Sequence, residues 1–322
     1  MSRPPLDRSL RSLPLFLISA VLFALGISMG TLVDPTPPRE VTMRAGLRVL
    51  EADFHAHTRF SDGVLSPIDL VVQARRRGLD VLGVTEHNMV FPGKIARWFS
   101  RAIGGPTIVV GEEVTTKAFH VHAIGVETKI APRQSLSKIL DDIHAAGGVA
   151  VAAHPVKSFW PYFLPVRDKL DGAEVMHPIA YGGRGDPAWR WEQMRAFYTD
   201  ALASGHRLTA VGSSDYHFFS PLGITRTLVF AERDDAGAVL DALRHGRTVV
   251  YDLEGRAYGD PDLVAALERE PYAPRAQDYG YAGTGALDRF ARTCGWLGIV
   301  GLLLFAPRRR GRTTIGVVEE AT

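Results

Sequence analysis

The chain has 322 residues, 46% hydrophobic and 22% charged, with 37 basic against 35 acidic side chains and a formal net charge of +2. This is the composition of a globular protein with a sizeable core, and the near balance of charge supplies no strong basic field for duplex nucleic acid. The single cysteine, Cys294, excludes an internal disulfide and a cysteine-based zinc site.

Residues 1–12 carry Arg3, Arg8 and Arg11, and the uncharged apolar run 13–33 behind them is long enough to span a hydrocarbon core of ~30 Å. Basic residues ahead of such a run hold that end in the cytoplasm, so a transmembrane anchor here sends the body outward. A cleaved signal peptide is the alternative. Pro35, Pro37 and Pro38 stiffen the linker 34–46.

The body follows at 47–252. Leu47–Phe54 predicts a strand, and Pro67–Arg77, opened by proline and followed by Gly78, predicts a helix. Val81–Thr85 is apolar enough for a buried strand. Trp98–Gly105 leads into a strand at Thr107–Val110, and Phe119–Val126 reads as the next strand. Leu136–Ala146 is an amphipathic helix closed by Gly147-Gly148. Strands at Val149–Ala153, Gly172–Met176 and Leu208–Gly212 frame a helix at Ala188–Ser204, and strands at Thr225–Phe230 and Arg247–Tyr251 flank a helix at Ala236–His245. This alternation predicts an α/β, barrel-like parallel sheet with its chemistry at the strand ends.

Residues 253–293, rich in Gly, Pro and Tyr around Gly255–Ala286, predict a mobile tether. The apolar segment 294–306 precedes a basic tail, 307–322, that opens with Arg308-Arg309-Arg310-Gly311-Arg312. The segment is short for a full crossing. It reads as a second span that returns the C-terminus to the cytoplasm, a helix on the membrane surface, or a sorting tail.

The chemistry begins at Asp53-Phe54-His55-Ala56-His57-Thr58, followed by Ser61-Asp62-Gly63. Histidines at i and i+2 on a strand face the same side, and an aspartate in a Gly-containing turn can swing back toward them. Further acidic and histidine residues recur at strand ends: Glu86-His87, Glu112-Glu113, His120 and His122, His154-Pro155, and Asp215-Tyr216-His217. Imidazole with carboxylate is a donor set for divalent metal.

These blocks, in this order, resemble the PHP (polymerase and histidinol phosphatase) domain. Asp53 to Gly63 matches its Asp-x-His-x-His-Thr-x-x-Ser-Asp-Gly pattern. Gly78-Leu79-Asp80 with Thr85-Glu86-His87-Asn88, Gly111-Glu112-Glu113-Val114-Thr115, His122-Ala123-Ile124-Gly125, Ala153-His154-Pro155, Asp171 to Val175 and Gly212 to His217 match the later blocks, with Glu86 standing where the family has aspartate. The resemblance implies a distorted (β/α)7 barrel of the TIM-like kind with up to three divalent metals, Zn, Mn or Fe. It implies one metal on His55, His57, Glu113 and Asp215, a second on Glu113, His122 and His154, and a third on Asp62, His87 and His217.

It further implies a phosphoesterase whose attacking water is held at Glu113, His55 and Asp215, with Asp53 and Glu174 orienting the ligand histidines. Arg59, Lys117 and Lys157 follow ligand blocks and are candidates to meet a substrate phosphate. Trp98, Phe159, Trp160 and Tyr162 fall near the expected mouth, where they stack a ring, pack, or touch lipid. The expected substrate is a phosphorylated small molecule or nucleotide, and the expected place is the cytoplasmic membrane with the catalytic body outside. An amidohydrolase-like reaction at the same metals and a non-catalytic metal-binding envelope protein are the rival functions.

Overall fold

The computed structural model describes residues 8–32, 41–181, 189–218, 220–272 and 286–306. In chain order the first elements are α1 (Arg8–Leu32), β1 (Thr42–Arg44), β2 (Leu47–Asp53), α2 (Pro67–Arg76), β3 (Val81–His87), α3 (Phe91–Ile103), β4 (Thr107–Thr115) and β5 (His120–Ile124). Then come α4 (Leu136–Ala145), β6 (Val149–Ala152), α5 (Trp160–Phe163), β7 (Gly172–Met176), α6 (Trp191–Ala203) and β8 (Thr209–Gly212). The last are β9 (Thr227–Ala231), α7 (Ala236–Arg244), β10 (Thr248–Tyr251), β11 (Ala257–Gly259), α8 (Pro261–Arg269) and α9 (Ala286–Phe305). They form two units, one containing α1 and α9 and one spanning Thr36–Tyr279.

In the larger unit the sheet runs β11-β10-β9-β2-β3-β4-β5-β6-β7-β8. Its two ends meet through threonines. Thr248 Oγ1 donates to the Ala210 carbonyl at 2.8 Å, and Thr227 Oγ1 donates to the Gly212 carbonyl at 2.8 Å while accepting from its N–H at 2.9 Å. The result is a nearly closed barrel.

The sheet is mixed rather than parallel throughout. β2–β3–β4 and β6–β7–β8 run parallel, but β5 is antiparallel to both neighbours and β9 is antiparallel to β2. The reason at β5 is local: Thr116 N–H bonds the Phe119 carbonyl at 3.1 Å, a tight turn that can join only antiparallel strands.

Helices cover the outer face. Leu70, Val71 and Ala74 of α2 and Ala96 of α3 pack on Leu82, Val84 and Ile108. Ile139 and Ile143 of α4 and Phe197 of α6 pack with Val121, Ala150 and Ala173. Local signals set these helices. Ser66 Oγ accepts from Asp69 N–H at 3.1 Å with Pro67 next in line, a capping box that starts α2. Pro92 starts α3, which begins seven residues before the segment Trp98–Gly105 that the sequence pattern singled out. α6 likewise starts at Trp191, and Ala188 lies outside the described residues.

Two expected connectors carry structure. Within the linker 34–46, Thr42–Arg44 pairs with β2 across a turn at Ala45 and Gly46, both at positive φ (50° and 77°). Within the tether 253–293, β11 extends the sheet and α8 caps it. Asp260 accepts from Asp262 N–H at 2.9 Å ahead of Pro261, and Leu263 and Leu267 are buried against Val49, Leu228 and Phe230. Tyr272 Oη then donates to Glu51 Oε1 at 2.6 Å. Gly and Pro content masked an ordinary helix-start signature, Asp260-Pro261.

In the smaller unit α1 and α9 pack closely. A Cβ on Gly26 would overlap the Gly295 backbone, and one on Gly298 would overlap Phe23. Small residues at such a crossing let helix backbones approach without a side chain between them. Of the described helices, α1 alone holds a window, Ser12–Gly30, long and apolar enough to cross a membrane, a property signal sequences share. α9 begins eight residues before the expected apolar segment 294–306 and includes Arg289 and Arg292. Arg3, the linker Pro35–Arg39 and the Arg308–Arg312 cluster lie outside the described residues.

Candidate metal centre

The site is built where the barrel strands end. β2 runs into His55 and His57, β3 ends on His87, and β4 carries Glu113. His154 follows β6, Glu174 lies on β7, and Asp215 and His217 follow β8. The turn Ser61-Asp62-Gly63 folds back as expected. Gly63 N–H bonds the Thr58 carbonyl at 3.0 Å, and a Cβ on Gly63 would overlap the His57 carbonyl, so only glycine permits the approach. Asp62 thereby meets His87 Nε2 at 3.2 Å and His217 Nε2 at 3.1 Å. Glu86 holds the base of this turn: Oε1 accepts from Thr58 N–H at 2.7 Å and Oε2 accepts from the Ser61 hydroxyl.

Glu113 is the centre of the cluster. Its Oε1 faces His120 Nδ1 at 2.8 Å and His154 Nε2 at 3.1 Å. Its Oε2 faces His87 Nδ1 at 2.7 Å, His57 Nε2 at 3.7 Å and His55 Nε2 at 3.8 Å. Asp215 Oδ1 closes the second of these groups, 3.0 Å from His55 Nε2 and 3.4 Å from His57 Nε2. Donor atoms each ~2.1 Å from one ion stand roughly 3–4 Å apart, and these separations lie in that range.

Behind this layer sits Glu174, fully buried. Its Oε1 accepts from His55 Nδ1 at 2.9 Å, from His122 Nε2 at 3.3 Å and from the Ser213 hydroxyl, while Oε2 accepts from His154 N–H at 2.6 Å. A proton held on His55 Nδ1 leaves its Nε2 lone pair pointing into the cluster. Asp53 works on the backbone. Oδ1 accepts from His55 N–H at 3.2 Å and Ser214 N–H at 3.0 Å, and Oδ2 accepts from Gly223 N–H at 2.8 Å, tying the end of β2 to the loop after β8. His154 and Asp215 have φ of 28° and 42°, a region that L residues enter only when their surroundings force it.

Electrostatics follow from burial and pairing. Burial alone would push the His55 imidazole down, but Asp215, Glu174 and Glu113 around it hold it well above its ordinary value. Burial would likewise raise Glu113, and the His55, His120 and His154 rings hold it well below the carboxylate range. Burial pushes His57 down to about 4. Its Nδ1 is buried with no hydrogen-bond partner and lies 4.0 Å from Asp62 Oδ1. That is too far for a hydrogen bond and suited to sharing a cation with Asp62, His87 and His217, so the donor set fits divalent metal.

The metal-ligand candidates expected from sequence lie together, but their grouping differs: Glu113 and His154 gather with His120, His122 gathers with His55 and Glu174, His57 gathers with Asp62, His87 and His217 as well as with His55 and Glu113, and Asp215 gathers with His55 and His154. His177, just beyond β7, places Nε2 3.1 Å from Asp215 Oδ2. The signal for His120 was present in the sequence, since it shares a strand face with His122. Arg59, Lys117 and Lys157 are exposed, with no side-chain ion pair to the cluster among the described residues. Phe159 is buried and Trp160 is packed against the core, while Trp98 is exposed.

No family model matches the chain. An uncharacterized protein of Methanocaldococcus jannaschii is 26% identical over 144 residues, 40% of this chain and 82% of that protein. A solved two-domain protein from Bacteroides vulgatus, containing a predicted PHP-like metal-dependent phosphoesterase, aligns with a TM-score of 0.59 at 23% identity, covering 73% of this chain and 74% of that one. An amidohydrolase from Chromobacterium violaceum aligns over 53% of this chain and 89% of its own at 17% identity, and its TM-score of 0.42 is too low to argue from. The fold is thus a PHP-like α/β barrel whose mouth holds clustered His, Glu and Asp groups.

The neighbour of Glu113 serves as a pH probe of this strand. Glu112 points to the other face of β4, where Oε1 accepts from Ile130 N–H and Oε2 has no hydrogen-bond partner. Burial pushes its carboxyl up to about 7. The folded state therefore binds a proton that the unfolded chain releases near its ordinary value, so this contribution is present at low pH and lost as pH rises toward and through ~7. Glu112→Gln, which keeps a neutral side chain throughout, should unfold at a temperature close to wild type at pH 5 and above it at pH 8. An offset that does not change between these pH values would show that Glu112 is not buried in this way.

Proposed function

We propose that this chain is a metal-dependent phosphoesterase, anchored in the cytoplasmic membrane with its catalytic body outside the cytoplasm. The observation that carries the reading is the buried Glu113 carboxylate, whose two oxygens face two different imidazole groups. In this assignment His55, His57, Asp215 and Glu113 would hold one ion, Glu113, His154 and His120 a second, and Asp62, His87 and His217 a third, with His57 Nδ1 turned toward that third group; His122 would take the orienting role beside Glu174. When bound, such ions supply Lewis-acid polarisation of a phosphoryl oxygen and a water nucleophile at neutral pH.

The chain's own groups do the rest. Glu174 holds the tautomer of His55, and Asp53 holds the loop that aims Asp215. His177, donating from Nε2 to Asp215, fixes the orientation of that carboxylate. Arg59 and Lys157 at the exposed edge are the cations available to a phosphate. The PHP-like fold supports phosphate-ester chemistry over the amidohydrolase-like alternative, and the full donor set supports turnover over a purely structural metal site.

Glu113→Gln should lower bound Mn²⁺ or Zn²⁺ and reduce p-nitrophenyl phosphate hydrolysis at least ~100-fold, because an amide is a poor bridge. Glu112→Gln should stay within a few-fold of wild type, and equal behaviour of the two variants would remove the bridging assignment.

Topology is tested separately, on the arginines before the apolar run and after the second segment. Alkaline phosphatase fused after Tyr272, beyond α8, should be active, and fused after Arg312 it should be inactive. An inactive Tyr272 fusion would place the body in the cytoplasm.

A further inference from the structure

The open side of the metal centre is apolar. The Asp62–His87–His217 group is its most exposed part, with the Asp62 side chain 54% exposed. Around it stand Phe60 at 45%, Val64 at 54%, Phe91 at 45% and Phe218 at 57% relative exposure. They come from the three segments that follow β2, β3 and β8, with Phe91 as the first residue of α3. Phe60 and Phe91 meet edge to face with ring centroids 4.9 Å apart, and Val64 N–H bonds the His217 carbonyl at 3.2 Å, so these side chains rim one opening. Four large apolar side chains left in water around a polar mouth are a feature that soluble surfaces normally avoid.

The rim continues along α3. Its outward positions are Phe91, Lys94, Ile95, Trp98 and Arg101, spaced to share one helix face, and Trp98 is 68% exposed. Aromatic and aliphatic side chains flanked by Lys and Arg compose a face suited to the interface of an anionic bilayer. Arg59 adds a cation beside Phe60. Lys94 also lies 3.9 Å from Glu127, which leaves Arg59 and Arg101 as the less compensated charges. In the membrane-anchored reading proposed above, the eight residues 33–40 between α1 and the body span at most ~28 Å, which tethers the body to the bilayer.

We propose that the rim and the outer face of α3 seat on an anionic lipid surface, and that the phosphate ester taken by the metal centre is carried by a lipid. This rests on the phosphoesterase reading above and names its substrate class. The four rim side chains carry no hydrogen-bonding group, which suits an acyl chain better than the hydroxyls of a sugar phosphate. For a lipid phosphate monoester, water adds to phosphorus, the phosphorus–oxygen bond to the lipid breaks, and the proton of water passes to the leaving lipid oxygen. Inorganic phosphate and the lipid alcohol are the products.

The test uses the full chain, loaded with Mn²⁺ and reconstituted in vesicles of phosphatidylcholine with phosphatidylglycerol. Phosphate release is compared for phosphatidate in the same vesicles, for nucleoside monophosphates and for p-nitrophenyl phosphate. Wild type should release phosphate from phosphatidate. Trp98→Ser combined with Arg101→Glu should lose tenfold or more of that rate while p-nitrophenyl phosphate hydrolysis, which also reports folding, stays within twofold. Hydrolysis of nucleoside monophosphates without phosphatidate overturns the lipid class and leaves the phosphoesterase reading standing. Undiminished phosphatidate hydrolysis by the double variant overturns the docking face. No hydrolysis of any ester by the loaded protein overturns the phosphoesterase reading, and this inference with it.

Discussion

Two carboxylates with fully buried side chains, Glu113 and Glu174, lie in the mouth of this barrel, and the rest of the site is arranged around the cost of keeping them charged. An ionised group removed from water is tolerated only when it is paired and hydrogen-bonded. Here the partners are imidazoles. Glu174 takes His55, His122, the Ser213 hydroxyl and the backbone of His154, while Glu113 takes His120, His154 and His87. The pairing is mutual, since the same carboxylates keep His55 protonated well above its ordinary range. Cations at the centre would take over that compensation, with loss of the His55 proton as they bind.

The fold serves this arrangement by bringing strand ends from all around the barrel to one rim. Glu174 links β7 to His55, just beyond β2, and to His154 in the segment after β6, and Asp53 links β2 to the loop after β8. These bonds also explain how His154 and Asp215 persist at positive φ, because Glu174 holds the N–H of His154 itself and Asp53 holds the N–H of Ser214 beside Asp215. The core below is held by ordinary means: capped helices packed on apolar strands.

Much of this was legible in the chain. His55 and His57 announce a shared face by alternation, Asp62-Gly63 announces the returning turn, and the acidic and histidine blocks fall at the ends of apolar strands. What was not legible has physical causes. Alternation put both His120 and His122 on one face, but which of them meets Glu113 and His154 depends on strand register and barrel curvature, which no spacing encodes. The antiparallel course of β5 was hidden because a hairpin and a crossover leave similar apolar runs. α8 was hidden by composition, and the lone Asp260-Pro261 signal was outweighed by the Gly, Pro and Tyr around it. The exposed rim of Phe60, Val64, Phe91 and Phe218 comes from three distant segments, so only the folded chain shows it.

The central proposal is that the two oxygens of Glu113 would each ligate a different metal ion. Anomalous diffraction from crystals of the full chain grown with Mn²⁺ tests it directly. The account predicts two manganese peaks flanking the carboxylate, each ~2.2 Å from a different oxygen, one near His55, His57 and Asp215 and the other near His120 and His154. A single peak bound by one oxygen of Glu113, or a Glu113 carboxylate with no peak beside it, would contradict the account.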